Sequence, residues 1–294
     1  SLPRWDVDSV QALNIFGLES PTGILRTGGG WFAVSGLEEA FPGVYSLTQD
    51  ENGFHAQLLK YLPQMDVEDL GLEPGSDSLR IISGRKFSPE SVDWIGQSLV
   101  LEPSQFRIVE NTPLAVSPEC FDQSMRCGLV ALEPLSETVL MAVKKKDVST
   151  LYLFEKRNTS WYQKSASSLT LNRKFVSISA VRRKDHLLYF LVKDKWLLAS
   201  LPVEALSQEV EAELRLETQF DFGAIQKKWM VLDTALAFEG MAESFDFDGQ
   251  GNLILLLNNR GKKFQGAPGQ APLPLPKLLR FQQLTVQSEE LDPR

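Results

Sequence analysis

Histidine and cysteine are nearly missing from this chain, with two of each in 294 residues. A Ser-His-Asp triad needs a histidine beside its nucleophile, and neither His55 nor His186 stands in such a context. No Gly-x-Ser-x-Gly elbow, Walker A loop or Rossmann glycine fingerprint occurs either. Cys120 and Cys127, in ECFDQSMRC, lack the nearby histidines that would complete a four-ligand zinc site. They form either a small disulfide loop or two reduced thiols. Long apolar runs are also wanting. A run such as Leu253 to Leu257 is strand-sized, far short of the ~18 residues of a membrane span, so no span is expected. Positive charge is in deficit, with 30 Lys and Arg against 38 Asp and Glu and a formal net charge of −8. That balance excludes bulk nucleic-acid binding, which needs an excess of cations facing the phosphates.

What is present is ordinary globular material, 43% hydrophobic and 23% charged, enough for a substantial core. Short Val-, Leu-, Ile- and aromatic-rich runs bounded by turn residues recur throughout: GWFAVSG, DSLRIISG, QSLVLEP, TVLMAV, STLYLFEK, HLLYFLV, KWLLASLP, NLILLLNN and PKLLRF. Helical spacing is confined to PVEALSQEVEAELRL (Pro202 to Leu216), which reads as one helical turn in a connection. The chain is therefore expected to be all-β.

The runs repeat as a unit: a polar or small onset, a short apolar strand, a turn, a stronger apolar strand, and a polar or basic end. Copies begin near Thr22, Asp66, Cys127, Val176 and Phe238. Their spacing of roughly 45 to 65 residues suits a four-stranded propeller blade, a unit that must stack with others to bury both faces. The fifth copy is one strand short, and DVDSVQALNIF (Asp6 to Phe16) is left over. The expected fold is a single β-propeller domain over residues 1–294, five-bladed, its ring closed by the N-terminal strand. The alternatives are six blades, with SVDWIGQSLVLEP (Ser91 to Pro103) as a blade of its own, and an irregular pair of β-sandwiches. The Pro-rich segment Gly266 to Pro276 reads as a surface loop between two strands of one blade.

Antiparallel pairing turns sequence position into spatial position. The start of the first strand and the end of the second lie on one face of the disc, and their hairpin lies on the other. FDFDGQGN is therefore the hairpin of the last copy. As an EF-hand loop it fails, because Gln250 and Leu257 occupy ligand positions and Leu257 stands where a bidentate carboxylate is required. The onset face should gather Asp66, Glu68, Asp69 and Glu239 with a basic and amide ring from Arg85, Lys86, Lys144, Lys145, Lys146, Lys193, Lys195, Asn258, Asn259 and Arg260. Carboxylates and amide carbonyls suit calcium, and the cations suit an anionic ligand.

FEGMA (Phe238 to Ala242), an apolar strand and Asn258-Asn259-Arg260 resemble the repeat of phytase-like and SdiA-regulated-like bacterial β-propellers. Asp66-Val67-Glu68-Asp69-Leu70 looks like the same element in the second copy, and Thr22-Gly23-Ile24 like a weaker one. The resemblance implies a propeller, export, and calcium held by Glu68 and Glu239 with Asn258. The third and fourth copies depart from it, with Cys127-Gly128 and Ser177-Ile178 in place of the acidic residue.

The main expectation is an exported propeller that binds a small anionic or carbohydrate-like ligand, or a partner protein, through Arg85, Lys144, Lys193, Asn259 and Arg260. The alternative is a calcium-dependent phosphoesterase or esterase with Glu68, Glu239 and Asn258 at the metal; the third is a structural interaction scaffold. A first residue Ser1 rather than Met fits a removed leader and a periplasmic or secreted protein, with a cytoplasmic location as the alternative. A monomer is expected.

Overall fold

The computed structural model describes residues 4–36, 39–63, 65–84, 96–114, 128–145, 149–192, 197–207, 211–215, 220, 224, 242–258 and 275–284. Within them, burial explains where each strand sits. The runs Leu187–Val192 and Leu253–Leu257 are apolar at every position and buried at every position, as strands covered on both faces must be. Arg107–Leu114 alternates exposed and partly covered residues, the pattern of an outer strand with one face in water.

The strands group into five antiparallel sets. The first runs Pro21–Thr27, Gly30–Ser35, Gly43–Asp50 and Gly53–Tyr61. The second runs Asp66–Leu72, Leu79–Gly84, Gly96–Glu102 and Arg107–Leu114. The third runs Gly128–Pro134, Val139–Lys145, Thr150–Arg157 and Ser160–Leu171. The fourth comprises Ile178–Lys184, Leu187–Val192 and Leu197–Pro202. The fifth comprises Ala242–Phe247, Leu253–Leu257 and Lys277–Phe281. The leading strands of the five sets touch one another in a closed cycle, which makes them the inner wall of a propeller. The stretch expected as a sixth blade contributes Gly96–Glu102, which is the third strand of the second set.

The N-terminal strand does close the ring. Gln11–Phe16 pairs antiparallel with Lys277–Phe281 as the outer strand of the fifth set, and its last three residues run parallel to the outer strand of the first. This seam demands glycine at Gly53, whose φ is +140° and where a Cβ would collide with the Asn14 carbonyl oxygen. Trp5 then anchors the N-terminus, donating its indole N–H to the Gly251 carbonyl at 3.0 Å and stacking on Phe247.

Five apolar clusters fill the gaps between successive sets. One lies between the first and second, another between the second and third, and so on round to Ile15, Ile24, Leu256 and Leu278 between the fifth and first. No set buries its faces alone; each interface is supplied by two neighbours. The segment with helical spacing gives only the 3-10 turn Val203–Ser207. Then Glu211–Leu214 pairs parallel with Ser160–Leu171, where burying Ala212 and Leu214 outweighs helical preference. No helix among the described residues is long and apolar enough to cross a membrane.

One irregularity repeats in every set. The pairing of first strand to second skips a residue, at Thr22, Glu68, Val130, Ser179 and Glu243. Each is a β-bulge near the onset of the inner strand, a device that re-aims a side chain away from the regular pleat.

Candidate ligand sites at the channel mouths

The five bulged residues meet on the onset face. Thr22, Glu68, Val130, Ser179 and Glu243, with Ser177 and Ile178, line a cavity of about 30 Å³. The Thr22 hydroxyl donates to the Val67 carbonyl at 2.8 Å, and the Asn258 amide donates to Glu243 at 3.1 Å. Glu68 lines this cavity, and Asn258 adjoins it through Glu243. The residue that register makes equivalent to Glu68 is Glu243, which sequence reasoning missed. Lys144 pairs with Leu129 and Thr150 in the second strand of its set. Arg85, Lys193, Glu239, Asn259 and Arg260 lie outside the described residues, as do Cys120 and Cys127. Among the described residues no three His, Cys, Asp or Glu side chains gather closely enough to hold a metal.

Asp69, expected at the mouth beside Glu68, is instead drawn into the channel. Its carboxylate faces the Arg182 guanidinium in two contacts, 2.8 Å from Nη2 to Oδ1 and 3.1 Å from Nη1 to Oδ2, and both side chains are 2% exposed. Arg182 Nη2 also donates to the Ile24 carbonyl at 2.7 Å and lies 3.4 Å from the Ser244 hydroxyl, while Asp69 accepts the Leu132 N–H at 2.9 Å. One ion pair thereby touches the inner strands of all five sets. Gly23 makes the room, since a Cβ there would lie 2.9 Å from Asp69 Oδ1.

Beyond this plug, on the hairpin face, opens a cavity of about 380 Å³, a size suited to a small ligand. Its floor carries Arg182, Glu133 and Asp246, and its rim carries Arg26, Arg183, Lys184, Phe247 and Asp248. The turn of FDFDGQGN, which sequence reasoning set aside as facing away from the site, forms part of this rim. Asp248 has local work: its carboxylate accepts the Gln250 and Asn252 N–H groups at 2.9 Å each and lies 3.3 Å from Arg280.

Burial pushes the Asp246 carboxyl upward, opposed by Arg182 and by the Arg26 and Phe247 N–H groups. Burial also raises Glu133 to about 8; Arg182 opposes the shift, and Asp246 and Asp69 add to it. Burial alone would favour a neutral Arg182, but the carboxylates of Asp69, Asp246 and Glu133 more than reverse this and hold it charged. Lys184, its ammonium 5.1 Å from the centre of the Phe247 ring, is lowered by burial, with Asp185 and Asp248 opposing.

The rim cations have few partners. Arg26 Nε donates to the Phe247 carbonyl at 2.9 Å, and Arg183 donates to the Asp185 and Leu135 carbonyls. Among the described residues none of Arg26, Arg183 and Lys184 is in an ion pair with a carboxylate. Sequence reasoning missed all three, because a hairpin-face cation looks like any solvated turn residue.

No family model and no curated protein sequence matches the chain. Among solved structures it is similar to the glutaminyl cyclase of Myxococcus xanthus, with a TM-score of 0.60 at 11% identity over 96% of this chain and 97% of that one. It is also similar to an exo-β-1,3-galactanase from Phanerochaete chrysosporium solved with β-1,3-galactotriose, with a TM-score of 0.52 at 7% identity over 95% of this chain and 64% of that one. At such identities the likeness concerns architecture alone: the chain shares an all-β, propeller-like fold with these enzymes.

Proposed function

We propose that the protein binds a small oxyanionic ligand, free or carried on a carbohydrate-like scaffold, in the cavity on the hairpin face. The observation that carries this reading is the rim of Arg26, Arg183 and Lys184, three cations that form no close ion pair among the described residues, in a chain of net charge −8. The recess gathers four cations, Arg26, Arg182, Arg183 and Lys184, against the three carboxyl groups of Glu133, Asp246 and Asp248, and an excess of one sign in a recess raises the local concentration of the opposite ion. Arginine and lysine hydrogen bonds to an oxyanion are charge-assisted and short. The polar floor leaves room for hydroxyl groups, in keeping with a fold shared with a galactanase solved with a trisaccharide.

Calorimetric titration with inorganic phosphate at low salt tests the reading. Binding is expected in the wild type, weakened at least about tenfold by the double change Arg183→Ala/Lys184→Ala, since each charged hydrogen bond contributes about 1.5–3 kcal/mol. No saturable heat in the wild type, or equal affinity in the variant, would remove it.

The calcium expectation takes a narrower form. At the onset mouth, Glu68, Glu243, Thr22, Ser177 and Ser179 offer hard oxygen donors around about 30 Å³. Calcium takes six to eight oxygens and accepts carboxylates in mono- or bidentate fashion, so two carboxylates and three hydroxyls, with up to seven oxygens, suit such an ion in kind and number. Millimolar calcium is expected to raise the melting temperature of the wild type but not of Glu243→Gln; an unchanged wild-type melting temperature rules this reading out.

A further inference from the structure

Glu133 is the odd charge in the channel. Three carboxyl groups, Asp69, Asp246 and Glu133, converge from three inner strands on one guanidinium, that of Arg182. Arg182 gives its two-point contact to Asp69, and its Nη1 and Nη2 groups also reach carbonyl and hydroxyl oxygens, while its Nε is buried without a hydrogen-bond partner among the described residues. Asp246 is served by the Arg26 N–H at 2.7 Å and the Phe247 N–H at 2.8 Å. Glu133 receives a backbone hydrogen bond from Arg183 and makes no ion pair among the described residues. It is largely but not fully buried, and it lines the cavity whose rim carries the three cations.

We infer that the anion enters this cavity together with the proton of Glu133, whose carboxylic acid donates a hydrogen bond to the ligand where a carboxylate would repel it. This rests on the anion-binding reading above and adds its proton requirement and ligand class: an oxyanion that offers an acceptor oxygen to an O–H donor. The charges facing Glu133 are Asp69 from the second set, Arg182, Arg183 and Lys184 from the fourth, Asp246 and Asp248 from the fifth, and Arg26 from the first. Only one of these cations, Arg182, lies in the plug, and it already serves Asp69. Ionising Glu133 would set three carboxylates against that one guanidinium. The same burial that raises Glu133 to about 8 keeps it a donor near neutral pH. A neutral acid donates; above its pKa it becomes an acceptor-only anion aimed at another anion. Binding is therefore present below pH about 8 and lost above it.

Sulfate is the suitable probe, because it stays fully ionised throughout the range. Wild-type affinity is expected to be level from pH 7 to about 8 and then to fall by up to about tenfold per pH unit. Glu133→Gln keeps a neutral donor and should bind at both ends of the range. Any residual decline in that variant reports Lys184, whose lowered pKa acts in both proteins. A second measurement needs no variant: titrations of the wild type near pH 9, in two buffers of different ionisation enthalpy, should show proton uptake on binding. Sulfate binding with the same pH profile in wild type and Glu133→Gln, or without proton uptake, overturns the inference and leaves the anion site standing. Absence of sulfate binding at pH 7 removes both.

Discussion

Replacing Arg182 by methionine is expected to destabilise the propeller by about 3–5 kcal/mol, or to prevent folding outright. The change leaves the Asp69 carboxylate, 2% exposed, without its guanidinium, and it frees the Ile24 carbonyl from its 2.7 Å donor. Removing one partner of a buried pair is far more damaging than removing both, because an uncompensated charge remains. The double change Arg182→Met/Asp69→Leu should therefore recover part of the loss. Denaturant unfolding reads both: the single variant should shift the midpoint at an unchanged slope. A single variant as stable as one with an exposed substitution, within about 0.5 kcal/mol, would show that the five inner strands do not depend on this plug.

The second large effect concerns ring closure. Ile15→Asp should destabilise by about 4 kcal/mol or more, since Ile15 is 0% exposed and packs where the fifth and first sets meet. Gln11→Asp, at an exposed position of the same strand, should change stability by no more than about 0.5 kcal/mol. Amide exchange should accelerate first in Lys277–Phe281, which loses its antiparallel neighbour, and in the paired stretch Gly53 to His55. Uniform loss of protection across all five sets would instead mean that the ring opens only as a whole.

Much of this architecture was readable because burial writes itself into strands as apolar runs. LILLL and LLYFLV read as strand-length apolar runs, which the structure covers on both faces, and the Asp-Gly and Gly-Gly-Gly turns marked hairpins of the last and first sets. The missing outer strand of the last copy pointed to Gln11–Phe16. The onset mouth was harder. The five bulges fall on Thr, Glu, Val, Ser and Glu, residue types with nothing in common, because a bulge is a matter of backbone register. The resemblance drew attention to Glu239, which lies outside the described residues, and register adds Glu243 beside Glu68. The plug was less legible still. In AVRRKDH one arginine is buried and the next is not, and strand alternation supplies the two faces without saying which one meets the axis. Arg182 lies 113 residues from Asp69 in sequence, so no local pattern announces the pair. Glu133 and Asp246 acquire their raised pKa values only when separate strands converge, which no single segment encodes.

The two mouths make opposite claims on an anion. The basic ring expected from sequence would hold it on the onset face, and Arg26, Arg183 and Lys184 would hold it on the hairpin face. Anomalous diffraction at the selenium edge from crystals soaked in selenate separates them in one measurement. The predicted result is a selenate peak in the 380 Å³ cavity, within hydrogen-bonding reach of Arg183, Lys184 and Glu133. An empty cavity with selenate bound instead on the onset face would contradict it.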